Sequence, residues 1–149
     1  MEYTDFKRLI DSLLVKNKET EWIEFKENFH SKEEIGVRIS ALSNSAFLGN
    51  MPYGYMVFGV NDETLKVVGT DFHATRKKIG NEELESWLST RLNPRIDFEI
   101  IDEFDYEDRG HVCIFKIPAA TNQPVSFLHE KYVRVGSTTR QLRDFPQKE

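Results

Sequence analysis

The chain has 149 residues, 39% hydrophobic and 30% charged, with eleven phenylalanines, one cysteine and a net charge of −5. That is enough apolar material for a single independently folding domain over residues 1–149, and the charge argues against a protein that coats nucleic acid indiscriminately. One cysteine excludes an intrachain disulfide and a multi-cysteine zinc site, and no stretch is long and apolar enough for a membrane span or a signal peptide, so a cytoplasmic protein without a membrane partner is expected.

Residues 4–16 carry Phe6, Leu9, Ile10, Leu13 and Leu14 at helical spacing, with Thr4 as the expected N-cap. In 18–27 acids and apolar residues alternate. Trp22, Glu24 and Lys26 fall on one face of an extended segment and Ile23 and Phe25 on the other. Ser31 and Glu34 form a capping-box pattern that opens a second helix, with Ile35, Ile39, Leu42 and Ala46 on one face, running to about Phe47. Aromatic and β-branched residues at 53–60, turn chemistry at 61–64 and strand character at 65–68 predict a hairpin with Asp62 at its tip.

A third helix is expected after Asn81 as its cap, holding Leu84, Trp87, Leu88 and Leu92, and it stops at Asn93 and Pro94. Ile96, Phe98 and Ile100 alternate with Asp97 and Glu99, and 107–110 turns the chain into a strand at 112–117, giving a second hairpin with one wet face. Cys113 in that strand reads as a small core residue, and the acids between Asp97 and Asp108 read as a solvated edge. Short strands at 125–128 and 132–135 follow. The tail from Thr138 shows no closing element, as expected of a fragment of a longer protein. Helices interleaved with hairpins predict the α+β class, a mostly antiparallel or mixed sheet packed with about three helices.

Three carboxylates, Glu19, Glu24 and Asp62, are the candidates for chemistry. A small cluster of acids can hold Mg²⁺ or Mn²⁺ while phosphate oxygens complete its shell; the alternative is two surface glutamates and an ordinary turn aspartate. Glu19 and Glu24 are five positions apart, so a straight strand would separate them by about 16 Å, and the chain must bend if they act together. Lys26 shares the face of Glu24 and can meet phosphate charge or simply form an ion pair. In 131–140, Lys131, Tyr132, Arg134 and Arg140 suit contacts to a nucleic-acid backbone and stacking on a base, against a reading in which Tyr132 is core and Arg134 satisfies acids elsewhere. Gly136 is expected to supply a positive φ or a tight approach. His30, His73, His111 and His129 are scattered and read as surface residues, and no phosphate-binding glycine motif occurs.

The pattern Glu19-x-x-x-x-Glu24-Phe25-Lys26, followed by 41–45, 53–62 and 132–137, resembles the Schlafen AlbA-like domain over about residues 18–142. The resemblance implies an α+β fold and nucleic-acid binding, with RNA or a single-stranded substrate preferred and DNA as an alternative. In the ribonuclease-active Schlafens an acidic triad does the cutting, and its positions match Glu19, Glu24 and Asp62, implying a metal-dependent endoribonuclease site that holds Mg²⁺ or Mn²⁺. Those Schlafens use two related lobes, which implies a homodimer for a single copy. Other relatives imply different readings: a non-catalytic DNA-binding module of a transcriptional regulator joined to a C-terminal partner domain, or a nucleotide (ATP)-binding or oligomerising domain. The family's glycine pair after the matching Asn44 is absent here, so that turn is not expected to cradle phosphate.

Overall fold

The computed structural model describes residues 1–15 and 20–146. In chain order the elements are α1 (Tyr3–Leu14), β1 (Ile23–Lys26), α2 (Lys32–Leu48), β2 (Tyr53–Phe58), β3 (Lys78–Ile79), β4 (Glu82–Glu83), α3 (Leu84–Ser89), β5 (Leu92–Asn93), β6 (Glu99–Asp105), β7 (His111–Pro118), β8 (Ser126–Phe127), β9 (Glu130–Val135) and β10 (Thr138–Gln141). The main sheet has the order β1-β2-β7-β6, with β1 parallel to β2 and the other pairs antiparallel. A second antiparallel sheet runs β10-β9-β8-β5, and β3 with β4 forms a short ribbon. This is the α+β class with a mixed sheet that the alternation of helices and hairpins predicts.

The pleat of the main sheet sorts its side chains between two helices. Ile23, Phe25, Val57, Val112 and Ile114 face α1, which buries Phe6, Ile10 and Leu13 at helical spacing. Met56, Phe58, Phe115 and Ile117 face the other way and pack with Ile39 and Leu42 of α2 and with Leu84, Trp87 and Leu88 of α3. Ser31 caps α2, its Oγ accepting the Glu34 N–H at 3.1 Å, as the capping-box pattern predicts.

Residues 39–46 of α2 are buried all round because the second sheet closes over the remaining face, whereas Phe47 and Leu48 at its end are exposed. There the buried polar residues replace strand partners. Asn44 accepts the Val125 N–H at 2.8 Å and donates to the carbonyls of Val125 at 3.0 Å and Tyr132 at 2.8 Å. Ser40 accepts the Tyr132 N–H and Ser45 the Arg134 N–H, so the edge of β9 beyond β8 finds its hydrogen bonds on a helix. Gly36 fits this contact because a Cβ there would lie 2.1 Å from the Phe127 ring.

Several boundaries differ from the sequence expectation. Glu2, without a side-chain bond, stands at the start of α1 in place of Thr4. Asn81 lies in the β3–β4 turn, so α3 starts at Leu84 with Glu83 before it, and Leu92 pairs with Phe127 in β5. The first hairpin shrinks to a single bridge between Val60 and Val67, because β2 spends its hydrogen bonds on β1 and β7. The tail does close: after Gly136 at φ +62°, β10 pairs along β9. No helix among the described residues is long and apolar enough to cross a membrane.

Candidate functional site

Glu24 projects from β1 toward α2, the face the alternating pattern assigns to it. Only 8% of it is exposed, and three cations surround it. Arg38 Nε donates to its Oε2 at 2.7 Å, Lys26 Nζ lies 3.7 Å from the same oxygen, and Arg134 Nε lies 3.6 Å from Oε1. Glu34, one turn before Arg38 on α2, pairs with Lys26 and lies 3.5 Å from Arg38 Nη2. A carboxylate buried this deeply stays charged only with such partners. Among the described residues Oε1 accepts no hydrogen bond, and neither does the buried Arg134 Nε find an acceptor.

Arg134 is 2% exposed. Its Nη1 donates to the carbonyls of Ile23, at the start of β1, and Thr20, just before it, and Gly136 N–H, two residues on, donates to the Glu21 carboxylate at 2.7 Å. Burial pulls the guanidinium below its ordinary pKa, and Glu24 works against that. Arg134 therefore ties β9 to β1, as in the alternative in which it satisfies acids elsewhere, and it also lines the cleft beside Glu24. Lys131 and Arg140 are exposed on β9 and β10, whereas Tyr132 is half-buried, and burial together with the Glu130 charge raises its hydroxyl pKa.

Asp62 reaches the same place from the other side. Asn61 Oδ1 accepts the N–H groups of Glu63 and Thr64, both at 2.9 Å, which folds 61–64 into a turn with the exposed Asp62 at its tip. Glu24, Lys26, Arg38, Asp62, Glu63 and Arg134 thus line one cleft of about 350 Å³, three acids with three bases. The structure brings two of the three candidate carboxylates into one cleft; the third, Glu19, lies outside the described residues. Asn44 and Ser45, at the end of α2, have no part in it.

A second cluster escaped the sequence reading, which placed each histidine on the surface and Asp102 on a solvated edge. A bulge between Ile101 and Phe104 turns Asp102 inward, leaving its side chain 1% exposed. His111 Nε2 lies 2.5 Å from Asp102 Oδ1, and the ring of His73 stacks on that of His111 with centroids 3.9 Å apart. The one advance signal was Asp102 breaking the alternation at Ile101 and Phe104. Cys113, fully buried nearby, has its thiol pushed well up by burial and then by the Asp102 charge, as fits a core residue.

No curated protein matches this chain. Among solved structures, the DIP2311 protein from Corynebacterium diphtheriae superposes with a TM-score of 0.59 at 18% identity, over 93% of this chain and 26% of that one, a likeness of fold. The chain spans about a quarter of that protein's length. The model of the Schlafen, AlbA_2 family matches residues 19–143, beginning at the first glutamate of the signature and taking in both sheets and the cleft between β1 and α2. On that match, the chain belongs to the Schlafen AlbA_2 family.

Proposed function

We propose that the cleft between β1, α2 and the Asp62 turn binds a nucleic-acid strand, RNA or a single-stranded segment, and cleaves it with a divalent metal ion. The observation that carries this reading is the state of Glu24, which lines the cleft that Asp62 enters: one oxygen is fixed by Arg38, and the other accepts no hydrogen bond among the described residues. Two carboxylates from separate elements are a hard oxygen donor set, which fits Mg²⁺ or Mn²⁺. Glu24 and Asp62 would hold the ion, with Glu19 as the expected third donor. Once bound, the ion supplies polarisation of a phosphodiester oxygen and stabilisation of the leaving oxygen.

The remaining residues supply what a phosphate needs around such an ion. Lys26 and Arg38 are about one-fifth exposed at the cleft wall, and their ammonium and guanidinium can meet non-bridging oxygens or developing negative charge. With acids and bases balanced, the cleft attracts a polyanion weakly until a cation is added, so metal and phosphate should bind together. The cleft shares Lys26 and Asp62 with an adjoining one, which shares Asn28 with a third flanked by Arg76 and Lys77. A strand crossing the carboxylates has a continuous path to those two bases.

The test is cleavage of labelled structured RNA and single-stranded DNA with Mn²⁺, Mg²⁺ or chelator, with binding recorded in the same samples. Wild type should cut in metal, and Asp62→Ala should bind but not cut. Binding without cutting in any metal would instead favour the non-catalytic DNA-binding module.

A further inference from the structure

The His73, Asp102 and His111 cluster lies away from the cleft, where the loop after Gly69 crosses β6 and β7. Each residue offers a ligand atom, and all three atoms lie within 4.8 Å of one another. Asp102 is oriented by a dedicated partner: Thr75 donates to its Oδ2 twice, from the backbone N–H at 3.0 Å and the hydroxyl at 2.9 Å. That leaves Oδ1 to the imidazoles, 2.5 Å from His111 Nε2 and 4.0 Å from His73 Nδ1. His73 Nδ1 is buried and has no hydrogen-bond partner among the described residues. A buried ring nitrogen without a partner is costly unless it has another use.

We propose that His73, Asp102 and His111 form a site for a divalent transition-metal ion of the Zn²⁺ class. Two imidazole nitrogens and one carboxylate oxygen are a borderline donor set, which suits Zn²⁺ and its neighbours and not Mg²⁺ or Ca²⁺, whose ligands are oxygens. The Thr75 bonds to the non-ligating oxygen are the outer-shell support such sites use to fix a carboxylate. His73 is 30% exposed and lines the separate cleft flanked by Arg76 and Lys77, with Asn28 and Phe29, so an ion has an entry path from solvent. Loading requires the His73 ring to turn out of its stack, which breaks no Nδ1 hydrogen bond, and the Asp102–His111 hydrogen bond to yield to the metal. The ion would then tie the loop carrying His73 to the bulge of β6 and the start of β7.

This site does not depend on the proposed cleavage activity. Metal-free protein in excess Mg²⁺, which occupies all-oxygen sites, is titrated with Zn²⁺ by calorimetry and with Co²⁺ by its visible absorption. Wild type should bind one ion per chain. His73→Gln, which leaves the Asp102–Thr75 and Asp102–His111 contacts in place, should weaken binding by roughly 100-fold, at least the effect of an outer-shell change. Thr75→Ala, which keeps the backbone N–H, should weaken it by about 10-fold. Folded wild-type protein that binds no Zn²⁺ or Co²⁺ under these conditions, or a folded His73→Gln that binds as tightly as wild type, would overturn the assignment.

Discussion

Glu24 and Asp102 are both 8% exposed and lie on the two outer strands of the main sheet, yet they solve the problem of a buried carboxylate differently. Glu24 is compensated by permanent charge from Arg38, Arg134 and Lys26. Asp102 has Thr75, a neutral donor, and the imidazole of His111. The first arrangement sets a buried carboxylate among guanidinium and ammonium groups at the wall of a cleft. The second sets one beside a threonine and two imidazoles, with no lysine or arginine at ion-pair distance among the described residues. Burial alone therefore does not say how a carboxylate is held; the chemistry of its partners does.

The sharpest way to break this contrast is to remove the permanent charge. Arg134→Met leaves Glu24 with one fewer buried cation and frees the Ile23 and Thr20 carbonyls, and it should cost about 3–5 kcal/mol in urea unfolding. Arg134→Lys should recover only part of that, because a lysine cannot reach both carbonyls and the carboxylate together. Asp102→Ala removes the hydrogen bonds to Thr75 and His111, and the same measurement should show a smaller loss of about 2 kcal/mol.

The smallest effect concerns Glu34 on the rim of the cleft. Burial pushes its pKa up, but the Lys26 hydrogen bond and charge, with Arg38, outweigh it and hold the carboxyl below its ordinary 4.5. A depressed carboxyl stabilises the fold fully above its unfolded value and loses that contribution as pH falls through the lower folded value. Stability should therefore fall with pH below about 4.5, and Lys26→Met should flatten that dependence when urea midpoints are compared across the acid range.

Much of the fold was legible because period and capping agreed with packing: Ser31 with Glu34, the Ile23 and Phe25 alternation, and the α1 stripe all appear where the pattern places them. What was not legible depended on partners distant in sequence. The strand Thr138–Gln141 has no apolar alternation and exists through its backbone pairing with β9. Arg134 lies 110 residues from Glu24, so neither its burial nor its clamp on β1 could be read from spacing. The shared cleft of Glu24 and Asp62 was anticipated through the family pattern, since residues 38 positions apart carry no periodic signal. His73 and His111 meet only because a bulge and a loop crossing bring them together.

A hard divalent ion is proposed between Glu24 and Asp62. Paramagnetic broadening of backbone amide signals by sub-stoichiometric Mn²⁺, reversed by excess Mg²⁺, tests it directly. The strongest broadening is expected at Lys26, Asp62 and Glu63, largely lost in Asp62→Ala. Broadening centred on His73 and His111, with the amides of the cleft unaffected, would contradict it.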